Sequence, residues 1–453
     1  MHIKTLGAAL LLTWGGLATA GTLAQAWQAA RQHDPDVAVA QAARQTGQAR
    51  RQLAQTLWRP TVGATASAGL MGADSRMDGA SFGAPGLGQV EGASFRSAVD
   101  AGLGYRWSVG ARLPIYSPER QAQGRQLELA GEAGDLVWLA TEQQLMLKTA
   151  ERHHAVALAA AALQLLRQQQ AAVDKALVEA QDRFKLGDQP ITDTHEATAR
   201  AQGLRARVLA AEVDLQLARR ALADSTGWPD AELDKVALAT DTTGAPLGGL
   251  DGWLDRVLRH NPSLRQQALA VAQAEQELRK ADRGASATVD LVAQLGRDHL
   301  SGHGPGSGAS GSSAMSGTQY MAGVQVNLPL YTGGQRAARA LELGGQLAQA
   351  QAELDRSQQQ LTQQARATWL RLDAGQARLE ALAAAQRASI ARLDATRLGR
   401  QVGHRTTLEL LDAESEAAGA ALALTQWRST LTLERLRLLS LAGGLDEAAL
   451  TPH

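Results

Sequence analysis

Four short segments of this 453-residue chain alternate apolar and polar residues at every second position. A period of two is that of a β-strand with one apolar face, because successive side chains point to opposite faces. A soluble, half-buried sheet would show the same pattern, so the alternation alone does not identify the environment. We predict strands over about 61–71, 105–116, 286–297 and 319–331.

Aromatic residues mark the ends of two of these strands. The tyrosines lie at positions 105, 116, 320 and 331, and a tryptophan lies at 107. A strand of about eleven residues, at roughly 3.3 Å per residue and a tilt near 45°, rises about 25 Å, the height of the apolar band of an outer-membrane barrel. Aromatic girdles flank that band, so the pattern favours membrane strands. The predicted girdle consists of Tyr105, Trp107, Tyr116, Tyr320 and Tyr331.

Segments without proline predict long helices, since an internal proline breaks the helical hydrogen-bond ladder. No proline occurs between Pro118 and Pro190, or between Pro329 and Pro452. The longer helices would extend roughly 100 Å at about 1.5 Å per residue, which suits a coiled-coil tube. We predict helices near 119–186, 190–226, 333–398 and 404–442, and flexible exterior loops over 72–104 and 298–317.

The sequence repeats itself after roughly 220 residues, which predicts two similar halves of one fold. The motif His33-Asp34-Pro35 recurs as His260-Asn261-Pro262, and Leu186-Gly187 recurs as Val402-Gly403. Residues 113–117 (LPIYS) likewise recur as residues 328–332 (LPLYT). The predicted organisation is a signal peptide (1–20), a first repeat (21–226), a linker (227–250), a second repeat (251–443) and a short C-terminal tail (444–453).

The N-terminal segment and the composition narrow the class of protein. Lys4, the apolar run 6–12 and Ala18-Thr19-Ala20 form a secretory signal, with the mature chain expected to begin near Gly21. The absence of cysteine excludes disulfides, thiolate metal sites and a lipidated cysteine. Lys plus Arg and Asp plus Glu number 45 each, so no overall basic field favours nucleic acid.

Motifs for catalysis or cofactor binding are weak. Gly306, Gly308 and Gly311 match a dinucleotide fingerprint but lie in a Gly/Ser segment with no helix behind them. His153-His154 lack the i, i+4 spacing of a helical metal pair, and we expect them, like His299 and His303, to be exposed to solvent. We therefore expect no enzymatic activity, no cofactor and no bound metal.

Four strands cannot close a barrel, and an open sheet edge in lipid leaves backbone groups unsatisfied. Strands from two or more chains must therefore combine, although this argument does not give the number of chains.

Several motifs, in this order and duplicated, resemble the TolC outer-membrane efflux family over nearly the whole mature chain. They are the doubled Asp/Asn-Pro, the segment 323–331 (GVQVNLPLY), the segment 402–406 (VGHRT) and the segment 410–413 (LLDA). The resemblance implies a mixed α and β membrane protein: a homotrimeric 12-stranded β-barrel, with four strands per chain, continued by a long α-helical coiled-coil barrel. It places the barrel in the cell outer membrane and the helical part in the periplasm.

The function that the resemblance implies is a passive exit duct for efflux or type I secretion. Its partners would be two further copies of the chain, a periplasmic adaptor (membrane fusion) protein, an inner-membrane transporter (ABC or proton-driven) and outer-membrane lipid, but no nucleic acid. A structural or adhesive coiled-coil surface protein anchored by a small barrel is the alternative, and a soluble periplasmic scaffold is a third possibility. The sequence does not identify the cargo.

The resemblance also assigns a periplasmic gate. Glu409 and Asp412 match an acidic ring, Arg405 matches a gate-linking arginine, and Thr192 and Asp193 match its partners. Glu409 and Asp412 are three residues apart and share a helix face. Acids near a helix start also complement its dipole, so that structural role stays open.

Two further features concern the ends of the long helices. Arg400 occupies the position of a family tyrosine at the gate, which puts one hydrogen bond of the closed state in doubt. The residues expected to contact the adaptor are Leu186, Gly187, Val402, Gly403 and Thr406.

Overall fold

The computed structural model describes residues 21–84, 88–187, 190–238, 247–283, 286–303 and 312–450. In chain order the elements are α1 (Leu23–His33), α2 (Pro35–Thr56), β1 (Thr61–Ala84), β2 (Gly88–Tyr116), α3 (Pro118–Lys185), α4 (Ile191–Thr226), α5 (Asp230–Leu233), α6 (Leu250–His260), α7 (Pro262–Arg283), β3 (Thr288–His303), β4 (Ser312–Asn327), α8 (Gln335–Gln401), α9 (Thr407–Leu441) and a 3₁₀ turn (Ala448–Leu450).

The long helices begin and end where proline and glycine require. Prolines 35, 118 and 262 occupy first helical positions, where their missing N–H costs nothing. Helix α4 ends at Gly227, whose φ of 68° is the left-handed conformation of a helix C-terminus. Helices α3 and α8 contain 68 and 67 residues. The prediction of four long helices is confirmed, with boundaries within a few residues.

The strands form one antiparallel sheet in the order β1-β2-β3-β4. One face is apolar over the predicted strand segments, and the other carries small and polar residues. On this polar face Arg112 of β2 forms an ion pair with Asp290 of β3, whose carboxylate is buried. The two strands are therefore joined by charge as well as by the backbone ladder.

The strands extend beyond the predicted segments, so the loop predictions are wrong for the described residues of 72–104 and 298–317. Residues 85–87 and 304–311, which include Gly306, Gly308 and Gly311, lie outside the described residues, as does the predicted signal peptide, 1–20. Strand β1 continues to Ala84, and β2 begins at Gly88. Tyr105 and Tyr320 consequently lie inside strands, and Tyr331 lies beyond the end of β4. Gly, Ser and Ala on both faces hide the alternation, whereas backbone pairing along the hairpin does not depend on side chains.

The chain divides into two compact units. One lies within Met1–Gly47, Glu132–Leu269 and Gln351–His453, and the other consists of Gln48–Gly131 and Ala270–Ala350. In the first unit, Trp27 of α1 is 1% exposed and packs with Leu145 of α3 and Leu436 of α9. Trp253 of α6 is buried in a second cluster with Leu438 of α9. These apolar contacts connect the short helices to the long ones.

No helix among the described residues is both long enough and apolar enough to cross a membrane.

The expectation that His153 and His154 are exposed is wrong. Both are buried in the interface between helices, where His153 Nε2 lies 2.7 Å from the carbonyl oxygen of Gly21, and His154 Nδ1 lies 2.7 Å from Ser429 Oγ. Burial lowers the pKa of His153, and burial together with the neighbouring His153 lowers the pKa of His154 to about 4. The sequence alone does not reveal which face of so long a helix is covered.

We expect the folded protein to lose stability as the pH falls from about 6.5 to about 4. Above pH 6.5 His154 is neutral in both the folded and the unfolded state. Below pH 6.5 the unfolded chain binds a proton at His154 and the folded chain does not, so the free energy of unfolding falls by up to about 3 kcal/mol. Thermal unfolding followed by circular dichroism, from pH 7 to pH 4, measures this dependence. His154→Gln should flatten it, whereas His404→Gln, at an exposed site, should not. If the stability of His154→Gln depends on pH as that of the wild type does, groups other than His154 cause the dependence.

Candidate functional site

The two helical hairpins, α3–α4 and α8–α9, both turn at a glycine. Gly187 and Gly403 each have a φ of 78°. The N–H of Gly187 donates to the carbonyl of Phe184 at 3.0 Å, and the N–H of Gly403 donates to that of Arg400 at 3.0 Å. A left-handed residue at this position ends a helix by satisfying its last carbonyl groups. The residues expected to contact an adaptor, Leu186, Gly187, Val402, Gly403 and Thr406, are all exposed on these turns.

Glu409 is fixed by the start of α9. Its side chain accepts from the backbone N–H of Thr406 at 2.7 Å, while Thr406 Oγ1 accepts from the N–H of Glu409 at 3.1 Å, completing a capping box. Arg405 donates to the other carboxylate oxygen at 2.6 Å. The backbone N–H of Thr406, followed by Arg405, holds the pKa of Glu409 below its usual value. Glu409 is therefore an ionised carboxylate that also stabilises the start of α9.

Asp412 joins α9 to α4. Arg200 of α4 donates to Asp412 at 2.7 Å and to Glu196, one turn before it, at 2.9 Å. The sequence singles out Asp412 but not Arg200. An arginine on a helix carries no special signal in the sequence. Arg200 and Asp412 are more than 200 positions apart, and only the packing of α4 against α9 brings them together.

A second ion pair joins α8 to α3. Arg400, near the end of α8, contacts the carboxylate of Glu179 in α3, which also pairs with Arg183 at 2.6 Å. The sequence identifies Arg400 as a departure from the family pattern, but its partner Glu179 is missed. Arg400, which the resemblance to the family places at a gate tyrosine, thus forms a salt bridge between the two hairpins.

The predicted partners Thr192 and Asp193 lie in the first turn of α4, with Thr192 Oγ1 at 3.4 Å from Asp193 Oδ1. Within the described part of this single chain, Arg405 pairs with Glu409, and no bond joins it to either residue. The structure therefore brings Glu409 and Arg405 together, and it leaves Thr192 and Asp193 apart from them.

An apolar cluster packs between the hairpins beside these ion pairs. Val173 and Ala176 of α3, Ala201 and Leu204 of α4, and Leu411 of α9 are all buried in it. Leu411 directly precedes Asp412, so the cluster determines which face of α9 is covered and which carries the carboxylate. The described residues contain no group of three or more His, Asp or Glu arranged to hold a metal ion.

The predicted aromatic girdle lies on the other unit. Tyr105, Tyr116, Tyr320 and Tyr331 are between 46% and 88% exposed in this chain, and Trp107 is 37% exposed. Tyr105, Trp107 and Tyr320 share one face of the sheet, and exposed aromatic side chains on one face need a covering environment.

The arrangement of long helical hairpins and a four-stranded sheet is the fold of outer-membrane channels. The crystal structure of the outer membrane protein VceC from Vibrio cholerae superposes with a TM-score of 0.71 at 18% identity, covering 93% of this chain and 96% of that one. The chain belongs to the outer membrane efflux protein family, whose pattern matches residues 26–228 and 253–444.

Two relatives extend the comparison. Outer membrane protein TolC of Escherichia coli (strain K12) is 26% identical over 328 residues, which cover 71% of this chain and 65% of that protein. Proteases secretion protein PrtF of Dickeya chrysanthemi is 29% identical over 308 residues, covering 67% of this chain and 65% of that protein. In both cases the matched region is slightly under two thirds of the relative's length.

Proposed function

We propose that the protein is an exit duct of the outer membrane, which conducts substrates passively from the periplasm to the exterior in efflux or type I secretion. Family membership is the observation that carries the proposal. The names of the relatives support it, since one is a protein of the outer membrane and another a protein of protease secretion. Energy comes from an inner-membrane transporter, ABC or proton-driven, and no chemistry takes place in the duct.

The chain acts as a homotrimer with one twelve-stranded barrel, continued by a barrel of helices in the periplasm. The open edges of a four-stranded sheet support this, because β1 and β4 must pair with further chains to satisfy their backbone groups in lipid. The barrel's exterior is the apolar face, with Tyr105, Trp107, Tyr116, Tyr320 and Tyr331 as its girdle.

Each chain consists of two repeats. In support, the element order helix, helix, strand, strand, long helix, helix occurs twice, as α1 to α4 and as α6 to α9. We place the limits of the repeats at 21–226 and 251–443, on either side of the linker 227–250, so that each repeat contains one copy of this order.

The hairpin turns form the periplasmic gate. In the closed state, Arg400–Glu179 and Arg200–Asp412 hold the hairpin α8–α9 against α3–α4. Opening requires the two hairpins to separate, which breaks both ion pairs. Thr192, Asp193 and Arg405 serve contacts between neighbouring chains. The periplasmic adaptor docks on Leu186, Gly187, Val402, Gly403 and Thr406, and its binding biases the gate toward opening.

Glu409 and Asp412 form the acidic ring at the mouth of the duct. Repeated about a symmetry axis, these carboxylates favour cations at a narrow opening. We expect the double variant Glu409→Gln plus Asp412→Asn to lose most of the wild-type preference for cations. Glutamine is accepted in a capping box, so α9 keeps its start. The ratio of cation to anion permeability in planar bilayers measures the effect.

Glu212→Gln is the matched control, because it removes a carboxylate that pairs with Arg167 between α3 and α4 of one hairpin. Its selectivity should equal that of the wild type. An equal loss of selectivity in the control and in the double variant would contradict the proposal that Glu409 and Asp412 form the acidic ring.

A further inference from the structure

The apolar face of the sheet carries two basic residues among its aromatic side chains. In the antiparallel register, Trp107 of β2 lies opposite Arg297 of β3, and Tyr105 lies opposite His299. Residues directly opposite each other point to the same face, so Arg297 and His299 belong to the apolar face. The rings of Tyr105 and His299 are 5.1 Å apart between centroids. We call these four residues the Arg297 cluster.

The Arg297 cluster lies where the apolar face ends on β3 and β4, whereas on β1 and β2 this face continues to the paired residues Leu70 and Leu103. Along β3 this face carries Val289, Leu291, Ala293 and Leu295 before it reaches Arg297. On β4, Tyr320 lies opposite Leu295, and the polar Thr318 lies opposite Arg297. The change from apolar to polar thus occurs at one level on both strands, on the side of the sheet away from the strand ends that join the helices.

Across the residues that the structure describes, no acidic side chain of the apolar face pairs with Arg297 or His299. Asp298, which lies between them in β3, points to the other face, where Arg106 of β2 is its register partner. Among the described residues, Arg297 forms neither an ion pair nor a side-chain hydrogen bond, and its side chain is exposed. An exposed guanidinium beside an apolar surface requires an anion or water at its own level.

We propose that the Arg297 cluster binds the phosphorylated headgroup of an anionic lipid in the exterior leaflet. This rests on the proposed function, in which the apolar face contacts lipid. Arg297 and His299 donate to phosphate oxygens, and arginine matches phosphate with two parallel hydrogen bonds. Tyr105 and Trp107 lie at the headgroup level, while the acyl chains cover Leu295 and the apolar residues below it. The arginine stem extends along the apolar surface, so the charged end reaches the interface.

Retention of diphosphorylated lipid A tests the proposal. The purified oligomer is reconstituted in phosphatidylcholine nanodiscs with or without this lipid, and the lipid molecules that stay bound after detergent extraction are counted by native mass spectrometry. We expect the wild type to retain lipid A. The double variant Arg297→Gln plus His299→Gln should retain at most about one fifth as many lipid molecules. Arg297→Lys keeps the charge and should restore part of the retention.

Arg106→Gln is the matched control, since it removes a cation at the same level on the opposite face. It should retain lipid A as the wild type does. Equal retention in the wild type and the double variant overturns the proposal, and so does an equal loss in Arg106→Gln. Displacement of the lipid by millimolar inorganic phosphate would also overturn it, because the site would then recognise free phosphate.

Failure of the duct itself gives a different result. If the wild type inserts into phosphatidylcholine and conducts ions but shows no preference for lipid A, only the proposal of the lipid site is contradicted, and the proposed exit duct stands. If the wild type fails to insert into any bilayer, both proposals are contradicted.

Discussion

Replacing Arg200 and Arg400 together with alanine is expected to raise the ratio of open to closed channels by about 150-fold. Each variant chain loses two ion pairs between its hairpins near their turns, Arg200–Asp412 and Arg400–Glu179, and keeps a third, Arg437–Glu151. Exposed ion pairs contribute about 0.5 kcal/mol each, and a homotrimer contains both pairs in every chain, so the closed state loses about 3 kcal/mol. The open fraction in single-channel recordings measures the shift.

Arg167→Ala provides the control for this result. Arg167 pairs with Glu212 at 2.7 Å, and both residues belong to the hairpin α3–α4, which moves as one piece in the proposed opening. Its open fraction should match that of the wild type. If the double variant opens no more often than Arg167→Ala does, the two ion pairs do not hold the gate closed.

Trp27→Ala is expected to destabilise the helical unit by about 3 to 5 kcal/mol. Trp27 is 1% exposed, and its removal leaves a cavity between Leu145 of α3 and Leu436 of α9. That loss is a large share of the stability of an ordinary domain. The midpoint of thermal unfolding, followed by circular dichroism, should fall markedly.

Trp58→Ala tests whether the effect comes from burial or only from the loss of a tryptophan. Trp58 is 39% exposed, so its truncation should change the unfolding midpoint little. A similar fall in both variants, or no fall in Trp27→Ala, would contradict the assignment of Trp27 to the centre of the core.

Local sequence signals predict the elements of this fold well. Proline placement gives the long helices, because a single residue type determines where a helix can continue. Alternation gives the part of each strand next to the helices, where apolar residues such as Val109 and Leu295 occupy one face. The outer parts of the hairpins are missed because their small residues carry no alternation, although backbone pairing continues through them.

Contacts between distant helices are beyond the reach of the same signals. Arg400 and Glu179 are 221 positions apart, and their meeting depends on how α8 is aligned along α3. The burial of His153 and His154 likewise depends on which face of α3 is covered. Glu409 shows the intermediate case, because the sequence marks it as an acid near a helix start, and the capping box with Thr406 is a local consequence.

The most direct measurement of the central proposal is single-channel recording of the purified wild-type oligomer in a planar bilayer. We expect discrete, small openings with a preference for cations, since the proposed trimer would enclose a continuous duct with an acidic mouth. Well-folded oligomers that insert into the bilayer and carry no current would contradict it, and would favour a coiled-coil surface protein whose helices enclose nothing.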